Sequence, residues 1–293
     1  MSLIDAKITH AGPEGRPGRV AARPGSRPKP GEVVAVATLA FLLIAAIVPT
    51  LFAPLDPLAI SPADAFQPPS AAHWFGTDES GRDVFTRVIH GARSSLLIGI
   101  SATAIGMGLA LVLGVLGGIG ARPVDFTVTR VNEVLFALPG LLLALVFISI
   151  TGPGIVTSTV AVGLSTAPGY ARIIRSQVRS VKGSAYVEAA TVLGRSPFAI
   201  LRRHILPNAV APVFVLATLG VGQAIVWASS LSYLGLGAVP PAAEWGAMLY
   251  AGRSYMAVAW WMTVFPGVFI VLAAASATSL GRSLQARTRQ LGQ

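Results

Sequence analysis

The chain has 293 residues, 53% of them hydrophobic and 12% charged, with a mean hydropathy of +0.68. That charge content is about half the ~25% of a soluble domain, so the composition is that of a membrane protein. The net charge of +10 does not mark a nucleic-acid binder, because the basic residues punctuate apolar runs and form no face, and the absence of cysteine excludes disulfides, thiolate catalysis and cysteine metal sites.

Residues 1–32, with the run AGPEGRPGRVAARPGSRPKPGE, are rich in Gly, Pro and Arg and have little to bury. They read as a disordered basic tail. The apolar run at 33–53 is too long for a signal peptide's core and is kept as the first crossing. It is the first of six segments that reach or approach the ~20 apolar residues needed to span a bilayer. The others are 95–121, 134–150, 154–174, 209–231 and 257–280.

Between the first two crossings, Asp78, Glu79 and Asp83 lack the alternating ligand spacing of a calcium loop, and Arg82 opposes a cation, so no metal is expected. A turn at Gly76-Thr77-Asp78 followed by an amphipathic helix from Asp83 fits better, with Val84, Val88 and Arg87 at the membrane interface. His73 and His90 read as interfacial residues, not ligands. The second crossing contains GMGLALVLGVLGGIG, whose Gly114 and Gly118 at four-residue spacing would let helices approach closely. Only TGPG separates the third and fourth crossings, which suits a tight helical hairpin.

The segment after the fourth crossing is different. YVEAATVLGRSPFAILRRHILPNA, residues 186–209, carries a carboxylate, three arginines, a central glycine and two prolines. Ser184 can cap a helix starting at Ala185, with Tyr186, Ala190 and Leu193 on one face. Glu188 lies where the helix dipole favours an anion, and Gly194 can take the left-handed conformation that ends it. Ser196 and Pro197 then start a second helix, in which Phe198, Leu201 and Ile205 share a face and which Pro207 closes. Such a rigid elbow suits docking, although a helix pair resting on lipid would have the same pattern.

In the last connection, 232–256, aromatic residues including Tyr233, Trp245 and Tyr250 are placed for an interfacial belt. Of the 22 Lys and Arg residues, 18 fall in the two tails, 122–133 and 172–207. This asymmetry places both termini and the elbow in the cytoplasm. The crossings contain no Asp, Glu or Lys, and their only Arg is Arg172. An ion-coupled carrier needs ionisable groups there, and an intramembrane enzyme needs a catalytic pair, so neither is favoured and no catalytic residue is assigned. Gln223, Ser229 and Ser230 are candidates to line a pathway. The three lysines, Lys7, Lys29 and Lys182, all lack the Gly-Lys-Ser/Thr context of a phosphate-binding loop, so any nucleotide energy must come from another subunit.

The pattern Glu188-Ala189-Ala190, then Gly194, then Leu206-Pro207 resembles the EAA loop of permease subunits of binding-protein-dependent ABC importers. HWFGTDESGRDVFTRVIHGARSSLLIG and SSLSYLGLGAVPPAAEWGAMLYAGRSYMAVAWWMTVFPG are similar to segments of the dipeptide, oligopeptide and nickel subfamily. The resemblance implies an all-α membrane protein of six transmembrane helices with the type I importer permease fold. It also implies an organisation in which 33–94 hold the first helix and an external loop with an interfacial helix. Residues 95–281 would form the permease domain, with the coupling loop at 172–207, and 282–293 a C-terminal tail. It further implies a second permease, two ATPase subunits that use ATP and Mg, an extracytoplasmic substrate-binding protein, surrounding lipid and the bacterial inner membrane. No cofactor would be bound by this chain.

Cargo would be a di- or oligopeptide, or alternatively nickel or another small solute. On this resemblance Glu188, Ala189, Ala190, Gly194, Arg202, Arg203, Leu206 and Pro207 would couple to the ATPase, and Glu244 and Trp245 would touch the binding protein. Two positions depart from the family's habit: Arg282 stands where an acidic residue is common, and Glu133 where relatives usually carry Asp.

Overall fold

The computed structural model describes residues 30–291, without the side chains of 210–212 and 287–291. The expected basic tail therefore lies outside the described residues, apart from Pro30, Gly31 and Glu32. These three open the first helix, α1 (Pro30–Ile47), which ends before Pro49.

Asp83 caps the next helix, accepting the Thr86 N–H at 2.7 Å. From there α2 (Val84–Ile119) continues unbroken for 36 residues, about 54 Å at 1.5 Å per residue. The stretch expected as a separate interfacial helix is thus the start of the second crossing. Its Val84, Val88 and Arg87 are buried in the protein and do not face the membrane interface. Composition could not show this, because the groups that cover them come from both ends of the chain.

The third crossing also differs from expectation. Residues 122–133, expected as a loop, belong to α3 (Arg122–Ala137), and α4 (Gly140–Thr151) leaves it at 92°. Leu138 is extended, as a residue before proline prefers, and Pro139 stands as the N-cap of α4. The GPG turn joins α4 to α5 (Ile155–Lys182), with Gly152 at φ 85° and Gly154 at φ 154°.

Beyond α5 come α6 (Ala185–Val192), α7 (Pro197–Ile200), a π-helical turn (Leu201–Ile205) and α8 (Leu206–Tyr233). A short α9 (Trp245–Gly252) precedes α10 (Trp261–Leu291), which runs on through most of the expected C-terminal tail. Among the described residues, four helices are long and apolar enough to cross a membrane: α1, α2, α8 and α10. The bent α3–α4 pair would make a fifth. The length of α5, 28 residues, would suffice, but its second half carries Arg172, Arg175, Arg179 and Lys182.

The longest contact is between α2 and α5, and glycines set its closeness. A methyl group on Gly114 would stand 2.7 Å from Ile174 Cβ, and one on Gly118 2.4 Å from Val178 Cγ1. Three apolar cores are stacked along the molecule. One joins α1, α2, α8, α9 and α10 at the end formed by the long loops. A middle core joins α2, α4, α5 and α8, and a third packs α2, α5 and α8 against the elbow. Segments 48–83 and 234–260 fold over the first core as a cap, in which Phe75 stacks on Phe265 at 3.9 Å and Trp261 Nε1 donates to the Thr77 carbonyl at 2.9 Å.

Candidate functional site

The elbow protrudes at the end opposite the cap. Gly194 is left-handed at φ 73°, its N–H reaches the Thr191 carbonyl at 3.0 Å, and the Arg195 N–H reaches the Ala190 carbonyl at 3.2 Å. This bond pair is a Schellman motif, whose left-handed residue is most often glycine. Ser196 Oγ accepts the Ala199 N–H at 3.3 Å and starts α7 as expected. Ser184 stands at the N-cap of α6, but its hydroxyl donates back to the Val181 carbonyl at 2.6 Å and caps nothing.

Pro207 does not close the second helix. The chain passes through the π turn into α8 without a break, and the Leu206 N–H bonds five residues back to Leu201. The wider turn shifts the hydrogen-bond register just where Pro207 has no N–H to offer. The elbow's second helix and the fifth crossing are therefore one rod.

Which face is buried also differs from expectation. Val187 and Ala190 of α6, with Ile200 and Ile205, pack on Met107, Ile174 and Val178. The five-residue step from Ile200 to Ile205 follows the π turn. Tyr186 and Leu193, placed on one face with Ala190, and Phe198, placed on one face with Ile205, are exposed, as is Val192. Val192, Leu193 and Phe198 are 83%, 77% and 71% exposed. They form an apolar tip on an elbow whose Glu188, Arg195, Arg202 and Arg203 are also exposed. Among the described residues the Glu188 carboxylate has no partner. Ala189, Leu206 and Pro207 are also exposed, whereas Ala190 is buried, its small side chain letting α6 sit on α5. Behind the tip lies an open hollow of about 720 Å³, lined by Ile119, Lys182, Val187, Glu188, Phe198 and Leu201 among others. An exposed apolar patch of this kind marks a surface that another protein or the lipid covers. Sequence reasoning did not single out Val192, and it placed Leu193 and Phe198 on helix faces without foreseeing their exposure, because the buried face of α6 runs through Val187 and Ala190.

The elbow's base is fixed by charge. Arg175 Nε donates to Asp125 Oδ1 at 2.8 Å, and Arg179 also pairs with Asp125, tying the start of α3 to α5. Lys182 Nζ reaches the Ile119 carbonyl at the end of α2 at 3.4 Å.

The pathway candidates are not all together. Gln223 is exposed and Ser230 partly so, one face of α8 carrying both. Ser230 donates to the Val226 carbonyl at 2.8 Å. Ser229 is buried, with its backbone against Gly246 of α9.

Glu244 and Trp245 need correction. Expected at an external surface, they are 1% and 0% exposed. Both Glu244 oxygens cap α9, accepting the Gly246 and Ala247 N–H groups at 2.9 and 2.8 Å, and Trp245 Nε1 donates to the Val88 carbonyl at 2.8 Å. Their polar groups are used within the cap, leaving nothing to present to another protein. Asp78 and Glu79 are likewise held by Arg82, with nitrogen–oxygen distances of 2.7 Å to each. His73 Nδ1 lies 3.0 Å from Asp83 Oδ2, and His90 Nε2 lies 3.1 Å from the Ala53 carbonyl.

Residues 106–290 match the family model described as the binding-protein-dependent transport system inner membrane component. The dipeptide transport system permease protein DppC of Alkalihalophilus pseudofirmus is 38% identical over 245 residues, covering 84% of this chain and 80% of its own length. The probable D,D-dipeptide transport system permease protein DdpC of Escherichia coli is 36% identical, with 85% of each chain covered. The glutathione transport system permease protein GsiD of Pectobacterium atrosepticum is 41% identical, covering 74% of this chain and 72% of its own.

Among solved structures, the fold is similar to an amino acid ABC transporter (TM-score 0.56, 17% identity, 69% of this chain and 94% of that one). It is also similar to the inward-facing MetNI methionine ABC transporter (TM-score 0.52, 20% identity, 67% and 95%).

Proposed function

The chain belongs to the family of binding-protein-dependent transport system inner membrane components, multi-pass inner-membrane permeases that are not enzymes, and we propose that it passes short peptides across the membrane. The relatives are named for dipeptides, D,D-dipeptides and glutathione, all of them short peptides. In this reading a second permease completes the pathway, two ATPase subunits use ATP and Mg, and an external binding protein delivers cargo.

The observation that carries the mechanism is the elbow. Its apolar tip is exposed, with Phe198 in the first turn of a rod that continues unbroken into α8 and with Val192 and Leu193 joined to it by the Gly194 turn. An ATPase gripping that tip would move α8 through Phe198, because the helix runs without a break from there. Glu188, Ala189, Arg202 and Arg203 rim the contact, Gly194 fixes the turn, Ala190 seats α6, and Leu206 and Pro207 carry the rod into α8. Gln223 and Ser230 then line the pathway.

The bilayer topology we propose counts α5 and the α3–α4 pair as crossings, six in all, with the elbow and both termini in the cytoplasm. The location of 18 of 22 basic residues supports this. Within it, 33–94 supply the first crossing and much of the outer cap, and 95–281 form the permease domain proper.

The test is reconstitution of the chain with its second permease, two ATPases and binding protein in vesicles. ATP-dependent accumulation of labelled dialanine is expected, with glutathione and nickel ion as parallel arms. Uptake that persists without the ATPases would sink the reading.

A further inference from the structure

The cap end holds a buried charged group that the proposed function leaves unused. Arg87, in the first turn of α2, is 4% exposed. Its guanidinium touches three groups from the two connecting segments of the cap. One terminal nitrogen donates to the Pro57 carbonyl at 3.1 Å and the other to the Pro241 carbonyl at 3.2 Å, while Nε lies 3.5 Å from Asp78 Oδ2. Asp78 is held in turn by Arg82, with Oδ1 accepting the Ser80 and Arg82 backbone N–H groups at 2.9 Å. Arg82 also binds Glu79, so two cations and two anions neutralise each other inside the cap. Arg87 is the member of this group that stands on α2 and reaches both connecting loops. A planar guanidinium spreads five donors over three nitrogens in a fixed fork that fits these acceptors, whereas an ammonium gathers its three donors on one nitrogen and lacks that spread.

The helix that Arg87 stands on is also unusual in its reach. Residues of α2 enter all three apolar cores: Val84 to Leu96 at the cap, Ile98 and Ala102 in the middle, Met107 and Ala110 beside the elbow. At its far end Gly114 and Gly118 rest against Ile174 and Val178 of α5, and α5 leads directly into α6. With no break over 36 residues, α2 can carry a displacement from one end to the other.

We propose that Arg87 is a positioning residue that fixes the outer cap to α2, so that load placed on the cap by a docked binding protein travels down α2 to α5 and the elbow. This rests on the importer reading above, which supplies the partner at the cap end. Coupling over this distance needs a contiguous element that both ends bias, and α2 with its glycine-seated contact on α5 is that element.

The experiment compares Arg87→Gln and Arg87→Lys with the unaltered chain in the complete reconstituted transporter, measuring ATP hydrolysis with and without binding protein loaded with dialanine. Basal hydrolysis is expected to stay within about twofold, while stimulation by the binding protein falls at least fivefold in both variants. Equal loss in the lysine variant separates the three-way fork from charge alone, and recovery of stimulation by lysine overturns the proposal, as does full stimulation in both variants. Should the variants fail to assemble, spin labels at Ile60 of the cap and Leu97 of α2, placed in the cysteine-free chain, give the answer with Arg87 intact. Their separation should be the same in nucleotide-free and turning-over complexes, and a change between the two overturns the inference. If the unaltered complex itself shows no ATP-dependent uptake, the importer reading fails instead.

Discussion

Ser95 and Glu244, 149 residues apart in the chain, meet at the start of α9, where the serine hydroxyl donates to Glu244 Oε1 at 3.1 Å and accepts the Trp245 N–H at 3.1 Å. The carboxylate caps a helix and receives a cross-chain hydroxyl in one buried place. Glu244→Ala would leave the Gly246 and Ala247 N–H groups and the Ser95 hydroxyl without acceptors. Loss of the cap and burial of unpaired donors should together destabilise the cap by about 2–4 kcal/mol. A clear fall in the thermal midpoint in detergent is expected, and a midpoint equal to the unaltered protein's would show that water can replace the carboxylate.

Much of this architecture was legible in the sequence, and what was illegible has a physical pattern. Local backbone chemistry read well: Gly194 ends α6, Ser196 and Pro197 begin α7, Asp83 starts a helix and GPG makes a turn. Each depends on a few neighbouring residues. The family was readable too, because the EAA pattern and two loop segments carry it. Long-range pairing was not. Glu244 and Trp245 read as surface residues by type, and only their distant partners Ser95 and Val88 make them internal. The continuity of α2 was hidden for the same reason, since its polar first turns look interfacial until the cap is folded over them. Pro207 was read as a stop, and the π turn that accommodates it leaves no mark in composition.

Two glycines on α2 allow a matched comparison. A Cβ on Gly118 would sit 2.4 Å from Val178, whereas one on Gly108 would meet nothing within 4 Å. Gly118→Ala should therefore force the α2–α5 contact apart and cost about 1–3 kcal/mol. Gly108→Ala should be neutral or stabilising by up to about 1 kcal/mol, because alanine is the better helix former. Thermal unfolding of the two variants side by side checks this, and equal effects would remove the close α2–α5 approach from the account.

Gly194→Pro tests the turn itself. Proline cannot adopt φ 73° and would remove the N–H that bonds Thr191, so the Schellman turn is lost. No atom lies within 4 Å of a Cβ at this position, and no crossing is disturbed. The variant should insert normally and assemble, with ATP hydrolysis retained and peptide uptake lost. Gly194→Ala, carrying only the left-handed penalty of about 1–2 kcal/mol, should show a partial defect. Normal uptake by the proline variant would refute a rigid elbow.

The absence of cysteine makes the topology directly measurable. Single cysteines at Val192 on the elbow and Ile60 in the cap, both exposed, should react with a membrane-impermeant thiol reagent from opposite sides. In intact cells Ile60→Cys is expected to label and Val192→Cys to remain protected until the membrane is opened. The reverse pattern would invert the whole molecule and contradict the charge asymmetry.

Glu188 offers the most selective probe of docking. It lies in the first turn of α6, where the helix dipole favours a carboxylate, and among the described residues that carboxylate has no partner. Its removal should therefore affect the fold by only a few tenths of a kcal/mol, while reversing its charge beside Arg195 builds a positive rim around the apolar tip. Glu188→Lys should leave the thermal midpoint of the isolated permease nearly unchanged and reduce recovery of the ATPase subunits with it several-fold. Glu188→Gln, which removes the charge without reversing it, should fall between. Co-purification at the level of the unaltered chain in both variants would take Glu188 out of the contact and leave the tip of Val192, Leu193 and Phe198 as its sole basis.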